Sequence, residues 1–113
     1  MRTKSVRCPT WLPVHWPMAY GNGNFTAKGT VLDITSHYWR VTGSMPVLPG
    51  TRLRLRVSPP EKADCLEVRA AIVLWINRCE FMVKIEDIAS VDREWLERRL
   101  HRAQRQDHFA SAA

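Results

Sequence analysis

The segment Thr51–Val57 alternates strictly between two kinds of side chain, and this pattern constrains the fold more than any other feature of the chain. Leucine or valine occupies every second position from Leu53 onward, and arginine occupies the positions between. Successive side chains of a strand point to opposite faces, so the pattern predicts a strand with one buried face and one solvated face.

Other segments have the β-branched, aromatic or alternating composition of strands, and turn residues separate them. They are Trp11–Met18, Lys28–Thr35, Trp39–Thr42, Leu66–Asn77 and Cys79–Glu86. The prolines of Trp11–Met18 predict an irregular edge strand, because proline has no N–H for a ladder. The apolar centre of Leu66–Asn77, residues 70–76, predicts a central strand that is covered on both faces.

The last segment is predicted to be a helix that begins at Ser90. Serine caps helix N-termini, and Asp92 and Glu94 fall in the first turn, where the helix dipole favours acidic side chains. An apolar stripe at helical spacing should pack the helix across the sheet or over one end of a barrel. The stripe consists of Val91, Trp95, Leu96, Leu100 and Ala103.

Six strands in succession and one terminal helix predict an all-β fold. We expect a small six-stranded antiparallel β-barrel with a C-terminal α-helix, since closure removes exposed strand edges. The 113 residues fit a single domain. We expect residues 1–10 to form a flexible basic arm, residues 11–106 to form the barrel and its helix, and residues 107–113 to form a frayed tail.

Charge and hydropathy narrow the class of protein. The net charge of +6 attracts phosphate-bearing partners. No apolar run approaches the length of a spanning helix, and prolines interrupt the region where a signal peptide would lie, so we expect a cytoplasmic protein with no membrane span. The three cysteines lack the spacing of a metal or redox motif and are interpreted as buried or half-buried thiols.

The sequence offers no recognisable catalytic arrangement. Its histidines are scattered, and no nucleophile motif, carboxylate pair or metal-ligand spacing is present, so we predict that the chain is not an enzyme and needs no cofactor. Trp16, Trp39, Trp75 and Trp95 are predicted to be core residues.

Asp33 and Thr35 end the second predicted strand, and a Pro-Gly turn precedes the alternating strand. Together with the basic residues at the start of the chain, this arrangement resembles PilZ domains, which are bacterial receptors for cyclic di-GMP. Their pattern is an Arg-x-x-x-Arg arm, a strand ending in Asp/Asn-x-Ser-x-x-Gly, and a Pro-Gly-type turn before an alternating strand. The resemblance runs from about Arg2 to Arg99 and implies a non-catalytic, PilZ-like β-barrel that binds cyclic di-GMP.

The family motif is matched unevenly. Thr35 keeps a hydroxyl where the family has serine, whereas Tyr38 stands in place of glycine. Arg7 matches the second arginine of the arm, and Arg2 lies five positions before it rather than four. Met82 stands where relatives often have glycine.

The resemblance implies a cyclic di-GMP site formed by Arg2, Lys4, Arg7, Asp33, Thr35 and Tyr38. Arginines bind phosphates and guanine edges through paired hydrogen bonds, a carboxylate accepts from guanine N–H groups, and a hydroxyl binds phosphate or braces the turn. Asp33 has a second interpretation as a turn cap, and Thr35 as a simple strand former. Tyr38 either obstructs the site or stacks on a base.

Two functions follow from the pattern. The first is a signalling adaptor that binds cyclic di-GMP and then contacts a protein effector. The second is a degenerate PilZ-like domain that no longer binds the nucleotide and acts through protein contacts alone. A nucleic-acid binder using Arg52, Arg54 and Arg56 ranks well behind both, because a charged strand face is more often simply solvated.

Overall fold

A computed structural model describes residues 11–112, and the side chains of residues 11–103. Its elements are β1 (Leu12–Gly21), β2 (Ala27–Ile34), β3 (Tyr38–Gly43), β4 (Arg52–Val57), β5 (Leu66–Asn77), β6 (Glu80–Ile88) and α1 (Ser90–Ala112). The strands close into a barrel in the order β1-β2-β3-β6-β5-β4, and every neighbouring pair is antiparallel. The predicted six-stranded antiparallel barrel with a C-terminal helix is confirmed.

The core fills the inside of the barrel with alternate residues of the strands. In β4, Leu53, Leu55 and Val57 are buried while the arginines between them are exposed, as the alternation predicted. Trp39 and Tyr20 are the largest of the fully buried side chains. Burial of such side chains is the main favourable contribution to folding.

β1 is a paired strand rather than the predicted edge strand. It pairs with β2 along its length, and with β4 from Met18 onward. Pro13 and Pro17 precede the β4 pairing and are exposed, and a register irregularity separates Pro13 from Trp16. The barrel therefore closes without requiring proline N–H groups on the β4 side.

β5 is covered on one face only, which corrects the prediction of a doubly covered strand. Leu74 and Trp75 are 42% and 38% exposed, so Trp75 is not a core residue. A register irregularity lies between Val73 and Trp75, where Val73 pairs with Val83 and Trp75 with Met82. The apolar run is long enough for burial, but barrel closure places alternate residues outside.

The helix starts where predicted, but the residues that its first turn buries differ from the prediction. Its first backbone bond runs from Arg93 N to Ala89 O, so Ala89 occupies the cap position and Ser90 already lies in the first turn. The predicted capping role of Ser90 is therefore wrong. Val91 is 67% exposed, and its predicted place in the apolar stripe is wrong. Asp92 is buried instead, because its carboxylate accepts a hydrogen bond from the backbone N–H of Glu67. α1 is described as far as Ala112, beyond the predicted start of the tail at residue 107.

The thiols of Cys65 and Cys79 are exposed and free, so their predicted burial is wrong. Both lie just outside strand ends rather than on the inward face of a strand. Cys8 and the arm of residues 1–10 lie outside the described residues. Within the described range, no helix combines the length and apolarity needed to cross a membrane.

Candidate functional site

The turn between β2 and β3 is held by Thr35. Its backbone N–H donates to the carbonyl of Tyr38 at 2.8 Å. Its hydroxyl accepts from the backbone N–H of Tyr38 at 2.9 Å and donates to the Tyr38 carbonyl at 3.0 Å. Thr35 is 6% exposed, so its polar atom is satisfied within the turn. The hydroxyl thus braces the turn, which is one of the roles the sequence left open.

Tyr38 occupies its position without backbone strain. Among the described residues, Arg78 is the non-glycine residue with a positive φ, at 61°. Tyr38 is half-buried at the start of β3, where it pairs with Lys84 of β6. A tyrosine in place of the family's glycine therefore incurs no left-handed backbone cost here.

Asp33 lies on β2 opposite Arg40 of β3, and the two side chains form an ion pair. Arg40 Nε donates to the Asp33 carboxylate at 2.8 Å, and Arg40 Nη1 donates to Glu80 at 2.9 Å. The hydrogen bonds to Glu80 and Asp33 raise the pKa of Arg40 above its ordinary value. The carboxylate of Asp33 is thus already engaged, and a ligand must share it with Arg40.

A pocket of about 880 Å³ lies between the β2–β3 turn and α1, and we call it the turn–helix pocket. Its lining residues are Thr35, Ser36, His37 and Tyr38 from the turn, and Trp95, Glu97, Arg98, Leu100, His101 and Arg102 from the helix. Arg98 and Arg102 lie four positions apart and therefore share a helix face. The pocket combines aromatic rings with guanidinium groups, a combination suited to anionic aromatic ligands.

The turn is fastened to both of the elements that flank it. Ser36 Oγ donates to Glu97 of α1 at 3.1 Å, and Arg93 donates to the carbonyl of Ser36. On the other side, Ile85 N of β6 donates to the carbonyl of His37 at 2.7 Å. The walls of the turn–helix pocket therefore hold each other in place.

The chain enters the barrel beside this turn. Leu12, the first residue of β1, pairs with Ile34, the last residue of β2. Arg7 lies five residues before Leu12 in the sequence. Five fully extended residues span about 17 Å. Arg2, Lys4 and Arg7 themselves lie outside the described residues, so the clamp of basic arm residues stays a prediction.

The structure divides the predicted site residues into two groups. Thr35 and Tyr38 line the turn–helix pocket, whereas Asp33 is not part of its lining and contacts Arg40. Sequence reasoning missed Arg40, and it also missed the contribution of α1 to the pocket. The four-residue spacing of Arg98 and Arg102 was a visible signal for a basic helix face.

The arginines of β4 form a separate basic surface that is largely neutralised. Arg52 pairs with Glu86 at 3.1 Å, and Arg56 pairs with Glu67 at 2.8 Å. The guanidinium groups of Arg54 and Arg56 lie 5.4 and 4.4 Å from the ring centroid of Phe25. This pairing favours the interpretation of a solvated strand face over a nucleic-acid surface.

Residues suited to metal binding are not gathered at any point of the described chain. No group of three or more His, Cys, Asp or Glu side chains is placed to hold an ion within this range.

No protein-family model and no curated protein matches the chain. Among solved structures, it is similar to the Bacillus subtilis inhibitor of motility, MotI/DgrA, with a TM-score of 0.72 and 17% sequence identity. The match covers 89% of this chain and 52% of that chain, so this chain spans about half the length of the neighbour. At this identity the likeness shows the fold alone, and it agrees with the β-barrel and C-terminal helix described above.

Proposed function

We propose that the chain is a PilZ-like module that binds cyclic di-GMP and acts as a non-catalytic signalling receptor in the cytoplasm. One observation carries the proposal. The chain enters the barrel beside the β2–β3 turn, since Leu12 pairs with Ile34, and the turn–helix pocket lies at this same turn. The start of β1, which follows the basic residues of the arm in the sequence, and a pocket with basic and aromatic walls thus lie at the same end of the barrel.

The pocket matches the chemistry of a cyclic dinucleotide. The ligand has two phosphates and two guanines, and the pocket offers Arg98 and Arg102 for phosphate and the rings of Tyr38 and Trp95 for stacking. Its volume of about 880 Å³ falls in the usual range of small-molecule sites, roughly 300–1,000 Å³. In this proposal the arm residues close over the bound ligand, and a protein effector recognises the new surface.

Asp33 takes part in the proposed site from outside the pocket. Its side chain is 19% exposed beside Arg40. In this proposal a guanine N–H group donates to the carboxylate while Arg40 keeps its hydrogen bonds to Asp33 and Glu80.

The deciding experiment is a calorimetric titration of the full chain with cyclic di-GMP at physiological salt, with GTP and a short DNA duplex as controls. We expect saturable binding of cyclic di-GMP and no binding of GTP or of the DNA duplex. Arg7→Ala should abolish that binding and leave the fold intact, because it removes a bidentate donor to phosphate or guanine. The matched control is Arg69→Ala, which removes an exposed arginine of β5 outside the pocket and should bind as the native chain does.

Tyr38→Gly tests the role of the tyrosine in the same titration. Stacking of a base on an aromatic side chain contributes about 1–3 kcal/mol, so we expect the affinity to fall at least fivefold. A rise in affinity would instead show that the ring obstructs the ligand. An unchanged affinity would place Tyr38 outside the site.

A second function, a PilZ-like domain that acts through protein contacts without the nucleotide, has its own supporting observation. The Asp33 carboxylate is engaged by Arg40, and the Thr35 hydroxyl is engaged within the turn. Both polar groups of the motif thus have partners in the absence of ligand. A silent titration with cyclic di-GMP would select this second function, whereas binding of DNA alone would contradict both.

A further inference from the structure

The exposed apolar side chains of the barrel are concentrated at one end of β5. Among the described residues, the large hydrophobic side chains that stand exposed are Leu48, Leu74, Trp75 and Val91, at 73%, 42%, 38% and 67%. Leu74 and Trp75 are neighbours on β5. Val73, the residue before Leu74, is hydrogen-bonded to the turn that carries Leu48. Gly50 N donates to Val73 O at 2.7 Å, and Val73 N donates to Thr51 O at 2.9 Å.

The apolar surface continues onto β6. Trp75 pairs in register with Met82, and Ile72 pairs with Lys84, so these side chains share the outer face of the two strands. Met82 and Ile72 are each half-buried. We call this surface the β5 patch, and it consists of Leu48, Ile72, Leu74, Trp75 and Met82.

The acidic and basic residues around the β5 patch differ in whether they form ion pairs. Its acidic neighbours Glu80 and Glu86 are each held by an arginine, Glu80 by Arg40 and Glu86 by Arg52. Lys84 and Arg78, in contrast, have no acidic partner among the described residues. The charge that remains available at the rim is therefore positive.

We propose that the β5 patch is a docking surface for an acidic, apolar segment of a partner protein. An exposed apolar area with a charged rim is typical of protein interaction sites, and tryptophan and methionine are enriched at the centre of such sites. β5 is paired with β4 on one side and β6 on the other, so it has no free edge to which a strand could be added. Recognition therefore relies on side chains, with Trp75 and Met82 at the centre.

Charge argues against the two occupants that this chain could itself supply. The arm of residues 1–10 is basic, and a second copy of the chain brings a net charge of +6 to a basic rim. Either occupant would place like charges opposite each other, which is unfavourable. An acidic segment instead pairs with Lys84 and Arg78.

The β5 patch shares no residue with the turn–helix pocket. The two surfaces adjoin at Lys84, which pairs with Tyr38 of the pocket and with Ile72 of the patch. The docking proposal itself requires no bound nucleotide.

The test is a selection of phage-displayed random peptides on the full chain, followed by affinity measurement with the synthetic consensus peptide. We expect the selected peptides to be rich in Asp and Glu and to carry large apolar residues. Trp75→Ala should weaken the consensus peptide at least tenfold, and Lys84→Glu should also weaken it, because truncation of a central tryptophan typically has a large effect. Val91→Ala, which shortens an exposed apolar side chain outside the β5 patch, should bind as the native chain does.

Other outcomes overturn the proposal. The proposal is wrong if the selected peptides lack acidic residues or if they bind Trp75→Ala as tightly as the native chain. It is also wrong if the selection enriches no sequence. A dimer in sedimentation equilibrium that Trp75→Ala dissociates would show instead that a second copy covers the patch. Leu74→Ala serves as a second variant if thermal unfolding shows that Trp75→Ala is misfolded.

Discussion

At the scale of single residues, Tyr20 shows how one side chain organises a loop. Its ring is fully buried against Phe81, and its hydroxyl donates to the carbonyl of Met45 at 2.6 Å and accepts from the Met45 N–H at 2.8 Å. Gly43 makes room for this contact, because a Cβ there would lie 2.2 Å from the Tyr20 hydroxyl oxygen. The loop after β3 is therefore tied to β1 through a single hydroxyl group.

We expect Tyr20→Phe to lower the free energy of unfolding by about 1–3 kcal/mol, since it leaves the N–H and carbonyl of Met45 without their partner. Urea denaturation measures this loss. Tyr38→Phe is the control, because no hydrogen bond is observed for the Tyr38 hydroxyl among the described residues. Equal losses in the two variants would contradict the role assigned to the Tyr20 hydroxyl.

Tyr20 also makes the free energy of unfolding depend on pH in the alkaline range. Burial raises the pKa of Tyr20 above its ordinary value of 10.0, and the hydrogen bond with Met45 only partly offsets this effect. The folded state therefore holds the proton more tightly, and the stability that this contributes is complete below pH 10.0 and is lost as the pH rises through the folded pKa. Unfolding measured from about pH 9 to about pH 11 should show a steeper loss for the native chain than for Tyr20→Phe.

At the scale of secondary structure, α1 is attached to the barrel at its first turn. The buried carboxylate of Asp92 accepts from Glu67 N at 3.0 Å and lies 3.4 Å from Lys62 Nζ. Trp95 packs against Trp16 with ring centroids 5.7 Å apart, and Leu96 is fully buried. The ion pair and these apolar contacts lie on the same side of the helix, so Asp92 faces the barrel while Val91, its neighbour, faces solvent.

Asp92→Ala should destabilise the protein by roughly 3 kcal/mol, because it leaves the largely buried Lys62 side chain without its ion-pair partner and the Glu67 N–H without its acceptor. The exposed Glu94 lies in the same turn, and Glu94→Ala should change the free energy of unfolding by less than about 0.5 kcal/mol. Chemical denaturation followed by tryptophan fluorescence distinguishes the two. A loss for Asp92→Ala as small as that for Glu94→Ala would show that the buried pair does not anchor α1.

At the scale of the whole molecule, the barrel carries two surfaces that adjoin at Lys84. The turn–helix pocket lies beside the point where the chain enters the barrel, and the β5 patch lies on the outer face of β5 and β6. Because the strands between them are closed into one sheet, the core supports both surfaces rigidly. Under the two proposals, a small ligand binds at the pocket and a protein segment binds at the β5 patch.

If the proposed function holds, cyclic di-GMP should stabilise the whole barrel. A ligand that binds only the folded state at 100 times its Kd adds about 2.7 kcal/mol to the free energy of unfolding. Thermal unfolding with and without the nucleotide measures this, and GTP is the control. Stabilisation that persists unchanged in Arg7→Ala would contradict the clamp formed by the arm.

The site was less predictable than the fold because its contacts join distant parts of the sequence. Asp33, Thr35 and Tyr38 were identified by a local motif, but the partner of Asp33 and the helix residues of the pocket were not. Arg40 approaches Asp33 only through the register of β2 and β3, and Arg98 approaches Tyr38 only because α1 packs beside the turn. The distance between such residues depends on how the strands and the helix pack against one another, which a local sequence pattern does not predict.

The sequence by itself determined the strands, the start of the helix and the barrel class, because side-chain alternation and turn residues act over a few neighbouring positions. Only the tertiary structure decided which apolar residues are buried. Trp75 and Val91 are as apolar as the residues of the core, yet both are exposed in the folded protein. Burial is a property of how elements pack against one another, and the exposed tryptophan that results is the centre of the proposed docking surface.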